Sequence, residues 1–364
     1  MQRLKKTAIG AGVLLSFAYS LNTTQAADLA DSVPSVSVSP SEQPNLVHIS
    51  IRNNSDEVIG LPSHMIPGNS LAANIFSVVS SSGEDIRYKG AIAEFENEPI
   101  VSLEPHSAIE IDVDLRKTYN LPTAGTYTVS YHAYGPGRAD AEDLMSELIS
   151  TAPAKVHLDL PDDCGEGCGP GQDGKDIFVA FQGCSDSQQQ MWNNDIIPWA
   201  QLLTTISYLN LEFGNGLSIN DYWFGTDPTF EQAAYSRMKG LYKQLLETPN
   251  DIQYSCQCPT EYEQNGVLGF VIANTSNEIY TCSDFWKLDT SANSTKFAYQ
   301  RGKAAVVIHE MTHFANHGGT EDYVYGYNKV HTFAQNHPDM AAKNAANYEF
   351  HAQNNPCVNC VKSP

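Results

Sequence analysis

The sequence has 364 residues, enough for about two domains of ordinary size, and 41% of them are hydrophobic, so the chain can bury a sizeable core. Acidic residues number 42 against 21 basic ones, which gives a net charge of −21. A field of this sign repels nucleic acid and anionic membrane surfaces, so neither is expected as a partner. Because 23 of the acidic residues lie within 27–175, the sequence divides into segments with different roles.

Residues 1–26 are typical of a secretory signal peptide. Basic residues at 3, 5 and 6 precede an apolar run over 8–19, and the segment ends at the small residue Ala26. This run is shorter than the roughly 20 residues that span a bilayer. We therefore expect signal-peptide removal, no membrane anchor and a secreted protein, which we take to be a monomer.

The next segment has the pattern of a small β-domain. Short alternating runs separated by turn residues predict strands at 46–51, 74–79, 108–113 and 127–131. Such a series predicts an immunoglobulin-like β-sandwich over 27–160. A stretch rich in glycine and proline at 161–175 then predicts an exposed linker that contains the processing site.

The remaining segment, 176–364, has a mainly helical α+β pattern. We predict strands at 176–181, 266–274 and 278–282, and helices near 187–211, from Pro228 to Leu245, near 297–317 and near 339–353. All eight cysteines lie after residue 163, and in an exported chain they indicate four disulfides.

The chemistry centres on an HExxH motif formed by His309, Glu310 and His313. On a helix, histidines at i and i+4 lie on the same face and can bind one zinc ion. The intervening glutamate is then placed as the general base for the water that the zinc activates. The motif predicts one Zn²⁺ per chain in a peptidase that acts on protein or peptide substrates.

The residues alone leave the third metal ligand open. The metzincin pattern HExxHxxGxxH is not met, because the third histidine is missing from its place. A gluzincin would take Glu349, the downstream candidate on a predicted helix. The other candidate is Asp322, nine residues after His313 and reached through a glycine turn at 318–319.

The segment 319–326 resolves this choice through a resemblance. It reads GTEDYVYG and matches GTxDxxYG, which together with HExxH resembles the deuterolysin, or aspzincin, metalloendopeptidases. The resemblance covers about 176–364 and implies that Asp322 is the third zinc ligand. It also implies that the hydroxyl of Tyr325 stabilises the oxyanion of the tetrahedral intermediate.

The resemblance has further implications. It implies disulfides Cys184–Cys256 and Cys258–Cys282, with the pairing of cysteines 164, 168, 357 and 360 left open. Family members that cleave before lysine have an acidic S1′ pocket, to which Glu349 corresponds as a substrate-binding residue. Ala346 stands where the second acid of that pocket would be, so a lysine preference at P1′ remains an expectation.

The layout of signal peptide, β-sandwich and catalytic domain is similar to that of secreted bacterial aspzincin toxins. It implies a zymogen whose propeptide is an intramolecular inhibitor and chaperone, with a role in virulence. The alternatives are a gluzincin-type peptidase that uses Glu349 as third ligand, and a non-catalytic secreted binding or adhesion protein.

Overall fold

The computed structural model describes residues 34–68, 73–95, 99–135, 147–159, 181–213, 218–273, 277–290, 301–317 and 319–354. The N-terminal part is β-rich and the C-terminal part is mainly helical with a small sheet, as expected for a two-domain chain. The predicted signal peptide, the linker at 161–175 and cysteines 164, 168, 357 and 360 lie outside the described residues. The domain boundaries and the immunoglobulin-like topology stay predictions.

The N-terminal strands form two antiparallel sheets and a separate strand pair. One sheet has the order β1-β2-β7; the other has the order β10-β8-β4, with β9 also paired to β8; β3 pairs with β6. Val47, Ile49 and Ile51 of β2 are buried at every second position, which follows from the two-residue repeat of a strand. The strands are β1 Ser35–Pro40, β2 Val47–Arg52, β3 Ile59–Pro62, β4 Phe76–Val79, β5 Ala91–Phe95, β6 Ile100–Leu103, β7 Ala108–Val113, β8 Gly125–Gly135, β9 Glu147–Ser150 and β10 Ala154–Leu158.

The helices of the C-terminal part pack around a helix that is buried along its whole length, α6. The helices are α1 Asp186–Met191, α2 Ile197–Phe213, α3 Ser218–Phe224, α4 Pro228–Glu247, α5 Thr260–Gln264, α6 Lys303–Thr312, α7 Tyr327–Asn336, α8 Pro338–Ala341 and α9 Ala345–Gln353. A π-helical turn, Trp192–Ile196, joins α1 to α2. None of the described helices is both long enough and apolar enough to cross a membrane.

Local sequence signals account for the helix starts. Asp227 caps α4 by accepting a hydrogen bond from the Thr229 amide, and Pro228 occupies the first turn, where its missing N–H costs nothing. Ser185 and Gln188 form a capping box at α1. The disulfides Cys184–Cys256 and Cys258–Cys282, implied by the family resemblance, are both present.

One helix prediction is wrong and one helix is shorter than predicted. The segment 339–353 does not form one helix, because the chain breaks between α8 and α9 at Asn344, whose side chain bonds to the backbone of a neighbouring loop. In the segment 297–317, α6 ends at Thr312 and a single 3₁₀ turn follows at Ala315–His317.

Strand β5 belongs to the N-terminal part of the sequence but pairs with the sheet of the C-terminal part. That sheet has the order β11-β12-β14-β13-β5, where β11 is Phe181–Gln182, β12 Gln253–Ser255, β13 Val267–Ile272 and β14 Glu278–Thr281. β5 runs antiparallel to β13, with Ala93 opposite Phe270 and Glu94 opposite Gly269. The N-terminal part therefore supplies an edge strand to the part that carries HExxH.

Candidate active site

The two HExxH histidines lie at the end of α6, in the interior of the protein. His309 and His313 are buried, and their ring centres are 5.1 Å apart because four residues make about one helical turn. The apolar residues that precede His309 pack in the core, so the helix position is fixed by burial on all sides.

Asp322 reaches the same place from the loop that follows α6. Its Oδ1 lies 3.1 Å from Nε2 of His309, and its Oδ2 lies 3.3 Å from Nε2 of His313. Gly319 and Gly326 have positive φ values of 52° and 83° at the two ends of this loop, a conformation that glycine adopts at no steric cost.

Asn344 holds the loop in place and was missed by sequence reasoning. Its Oδ1 accepts hydrogen bonds from the amides of Tyr323 and Val324, at 2.8 and 3.3 Å. Its Nδ2 donates to Oδ1 of Asn347 at 2.7 Å. Asn344 lies inside the helix predicted near 339–353, so nothing local signals this role.

The donor set fits a zinc ion. A nitrogen or oxygen from each of His309, His313 and Asp322 can be chosen so that all three atoms lie within 4.8 Å of one another. Within the described residues, both Nε2 atoms and both Asp322 oxygens are buried without a hydrogen bond of acceptable geometry. Two imidazoles and a carboxylate are ligands that zinc accepts.

The Nδ1 atoms of His309 and His313 both have hydrogen-bond partners, and these contacts orient the Nε2 atoms towards Asp322. Nδ1 of His309 lies 3.2 Å from Oε2 of Glu349, and Nδ1 of His313 lies 2.9 Å from the carbonyl oxygen of Thr320. Each acceptor assigns the proton to Nδ1 and leaves the Nε2 lone pair for a metal.

Glu310 and Tyr325 border the same site. Glu310 is fully buried, and its Oε1 lies 3.1 Å from the point where a Cβ on Gly269 would stand, so its carboxyl group faces β13. The hydroxyl of Tyr325 donates to the carbonyl oxygen of Ala93 on β5 at 2.8 Å. The two side chains therefore contact the two neighbouring strands at one side of the sheet.

Glu349 is fully buried and does not act as a solvent-exposed helix carboxylate. Its Oε1 lies 3.2 Å from Nε of Arg301, and its Oε2 faces His309. Ala346, at the position of the missing second acid, is also buried. The arginine is a second residue that sequence reasoning missed, because a lone arginine before a helix carries no recognisable pattern.

Glu94 completes the cluster from the N-terminal part. Its side chain is fully buried, its Oε1 lies 2.9 Å from Nη1 of Arg301 and 3.6 Å from Nδ1 of His309. Four acidic side chains, Glu94, Glu310, Asp322 and Glu349, thus share one buried region with one guanidinium and two imidazoles.

The surroundings shift the pKa values of the four buried acids in different directions. Burial raises the pKa of Glu94 and of Glu310 well above the usual range of a glutamate. Burial also opposes ionisation of Glu349, but the guanidinium of Arg301 beside it lowers the pKa of Glu349. Burial also acts to raise the pKa of Asp322. The two imidazoles outweigh burial and hold the pKa of Asp322 well below its usual range.

Comparisons with known proteins agree with this geometry. Residues 218–353 match the aspzincin family model described as "Lysine-specific metallo-endopeptidase". The "Peptidyl-Lys metalloendopeptidase" of Armillaria mellea is 29% identical over 181 residues, which are 49% of this chain and 47% of that protein, so the chain spans about half of that relative. The "Extracellular protease" of Aeromonas hydrophila is 22% identical over 329 residues, 86% of this chain and 89% of that protein.

A solved structure titled "Zinc peptidase from Grifola frondosa" is 26% identical and covers 48% of this chain and 98% of that one, with a TM-score of 0.41. The family match extends over α6, the Asp322 loop and α9, which hold the buried histidines and carboxylates described above. Residues 218–353, which carry HExxH and the Asp322 loop, therefore match the aspzincin metalloendopeptidase family.

Proposed function

We propose that this chain is a secreted zinc endopeptidase made as a proenzyme, with one zinc ion per chain held by His309, His313 and Asp322. The observation that carries the proposal is that both Nε2 atoms face the two oxygens of one buried carboxylate, at 3.1 and 3.3 Å. These four buried atoms make no hydrogen bond of acceptable geometry, which would be costly unless a metal ion satisfied them.

The chain's own residues supply the proton transfers and the charge stabilisation. A zinc ion bound at this site supplies Lewis acidity for water and for the scissile carbonyl. Glu310, buried beside both histidines, takes the proton of the attacking water and passes it to the leaving amine. The hydroxyl of Tyr325 donates to the carbonyl oxygen on which negative charge develops.

The position of Glu349 argues against the gluzincin alternative. Its carboxyl group faces Nδ1 of His309, which lies on the opposite side of the ring from the Nε2 that faces Asp322. Glu349 is thus placed to orient a ligand. Glu349 also contacts Arg301, so the acidic side chain on which the expected lysine preference depends is already paired.

The N-terminal part acts as the inhibitor in this proposal. β5 is paired along β13, and its carbonyl at Ala93 takes the hydrogen bond of Tyr325, so a substrate strand cannot enter the same place. A segment that also completes the catalytic sheet is suited to assist its folding. Secretion is supported by the disulfides and by the extracellular relative from Aeromonas hydrophila. A role as a toxin remains a prediction.

The proposal is tested on the full chain and on Glu310→Gln. We expect the wild type to bind one equivalent of zinc, to process itself within about 164–190, and then to digest casein until a chelator is added. The variant should bind zinc and remain unprocessed when purified away from other proteases. Zinc-independent digestion would overturn the proposal, and an inert wild type that still binds protein partners would favour the non-catalytic adhesion protein.

A further inference from the structure

Arg301 lies in a buried pocket that is filled by a side chain of β5. The guanidinium binds Oε1 of Glu94 at 2.9 Å through Nη1, which also donates to the carbonyl oxygen of Phe95 at 2.7 Å. Its Nε lies 3.2 Å from Glu349, and its centre is 5.8 Å from the centre of the Phe350 ring. These contacts are made with the Glu94 side chain fully buried, so the pocket encloses its occupant.

The backbone beside this pocket lies where the reaction would occur. Ala93 precedes Glu94, and its carbonyl oxygen receives the hydroxyl of Tyr325. Glu94 is opposite Gly269, the residue that faces the carboxyl group of Glu310. If Tyr325 marks the scissile carbonyl, as the proposed function has it, the bond between Ala93 and Glu94 stands at the scissile position. The Glu94 side chain then occupies the P1′ pocket.

We propose that Arg301 makes the P1′ pocket selective for a glutamate-like side chain, one that brings an acceptor oxygen to the guanidinium, and that the pocket rejects lysine. Glu94 then occupies the pocket in the way that the preferred P1′ residue of a substrate would. The inference rests on the proposed function, because that function assigns the role of Tyr325.

Electrostatics gives the reason for the selection. A lysine ammonium at the place of the Glu94 carboxyl would stand about one hydrogen-bond length from a guanidinium, and like charges at that distance in a buried site repel strongly. The Glu349 carboxylate lies within 4.8 Å of the same position and offsets part of this repulsion. A lysine would still leave the guanidinium without the acceptor oxygen that Glu94 brings to it. A site built around a polar contact also rejects side chains that cannot make it.

The first test reads the cleavage sites. The full chain is matured, a denatured protein mixture is digested, and the residues at P1′ are counted by mass spectrometry. We expect glutamate and glutamine to exceed leucine and lysine by about tenfold or more. In Arg301→Leu the ratio of cleavage before glutamate to cleavage before leucine should fall by about tenfold, since a buried acceptor loses its donor. The matched variant Arg301→Lys keeps a donor and should retain the order.

The second test needs no catalysis. The full chain carrying Glu310→Gln is cut in the linker with an added protease, and dissociation of its two parts is measured. Glu94→Met should weaken their association by about tenfold, because it leaves part of the guanidinium unpaired. Glu94→Gln, which keeps an oxygen of the same reach, should change it less. Glu94→Lys should weaken it most.

The outcomes separate the two proposals. Enrichment of lysine at P1′, an unchanged profile in Arg301→Leu, or association of Glu94→Lys as tight as that of the parent would overturn the selectivity of the pocket, even if casein is digested. If the matured wild type cleaves no peptide but the Glu94 series behaves as expected, the peptidase proposal fails and the pocket's preference for a glutamate-like side chain stands.

Discussion

The hydroxyl of Tyr325 and the carbonyl oxygen of Ala93 are joined by a hydrogen bond of 2.8 Å, although the two residues are 232 positions apart. This bond links the loop after HExxH to a strand of the N-terminal part. Under the proposed function, the hydroxyl serves inhibition in the full chain, and in the free enzyme the same donor is available to a substrate carbonyl.

Tyr325→Phe should lower kcat of the matured enzyme by about 10²–10³, with a small change in KM, because an oxyanion donor acts mainly in the transition state. Zinc content should not change. The measurement is steady-state hydrolysis of a peptide together with metal analysis. Tyr323→Phe, in the same loop, is the control, and equal losses in both variants would mean that the effect is structural.

Asp322→Ala and Glu349→Ala should have different effects on the metal. Removing Asp322 takes away one of three donors, so zinc should be lost on dialysis. Removing Glu349 takes the partner from Nδ1 of His309 and one partner from Arg301 but no metal donor, and such outer contacts are worth about 10–100-fold in metal affinity. Zinc titration of both variants decides the matter. Retained zinc in Asp322→Ala with loss in Glu349→Ala would identify a gluzincin.

Asn344→Ala should destabilise the catalytic part by about 2–3 kcal/mol, since it leaves buried amides of the Asp322 loop unpaired. The free energy of unfolding is measured with urea in the Glu310→Gln background. Asn354→Ala, at the C-terminal end of α9, removes one local side-chain hydrogen bond and is the control, which should lose less. Equal losses in both variants would mean that the loop is held by other contacts.

The stability of the catalytic part should fall in acid through His351. Burial lowers the pKa of His351 to about 3, and its ring nitrogens contact Ser207 and Asn220. Because the unfolded chain takes up this proton near pH 6.5, the stabilisation is complete above that pH. It is lost at about 1.4 kcal/mol per pH unit as the pH falls towards 3.

Urea unfolding at several pH values measures this slope. His351→Gln should reduce the slope by about one proton below pH 6.5. His157→Gln, whose ring is 65% exposed on β10, is the control and should leave the slope as it is. An identical slope in His351→Gln would assign the acid sensitivity to other groups.

The local parts of the site were predictable from the sequence, because they depend on short spacings. Histidines four residues apart on a helix must share a face, so the placement of His309 and His313 follows from helix geometry. Helix α4 begins at Pro228, and the strand pair β13–β14 lies close to the predicted positions, since caps and alternation are also local.

The contacts between distant segments were not predictable in this way. Glu94 and Arg301 are 207 positions apart in the chain and meet only because β5 crosses to the catalytic sheet. The run at 91–95 is buried on both faces, so it lacks the alternation that marks a strand of a two-layer domain. The break at Asn344 was hidden for the same reason, because its partners lie about 20 residues earlier.

The pairing of β5 with β13 has a consequence for the choice of targets. In the proposed mature enzyme β5 is absent, and β13 becomes an edge strand that can pair with a stretch of another polypeptide already extended over about five residues. Compact domains rarely offer such a stretch, whereas surface loops, interdomain tethers and denatured chains do. The conformational state of a protein in the surroundings, as much as its side chains, would then decide whether it is cut.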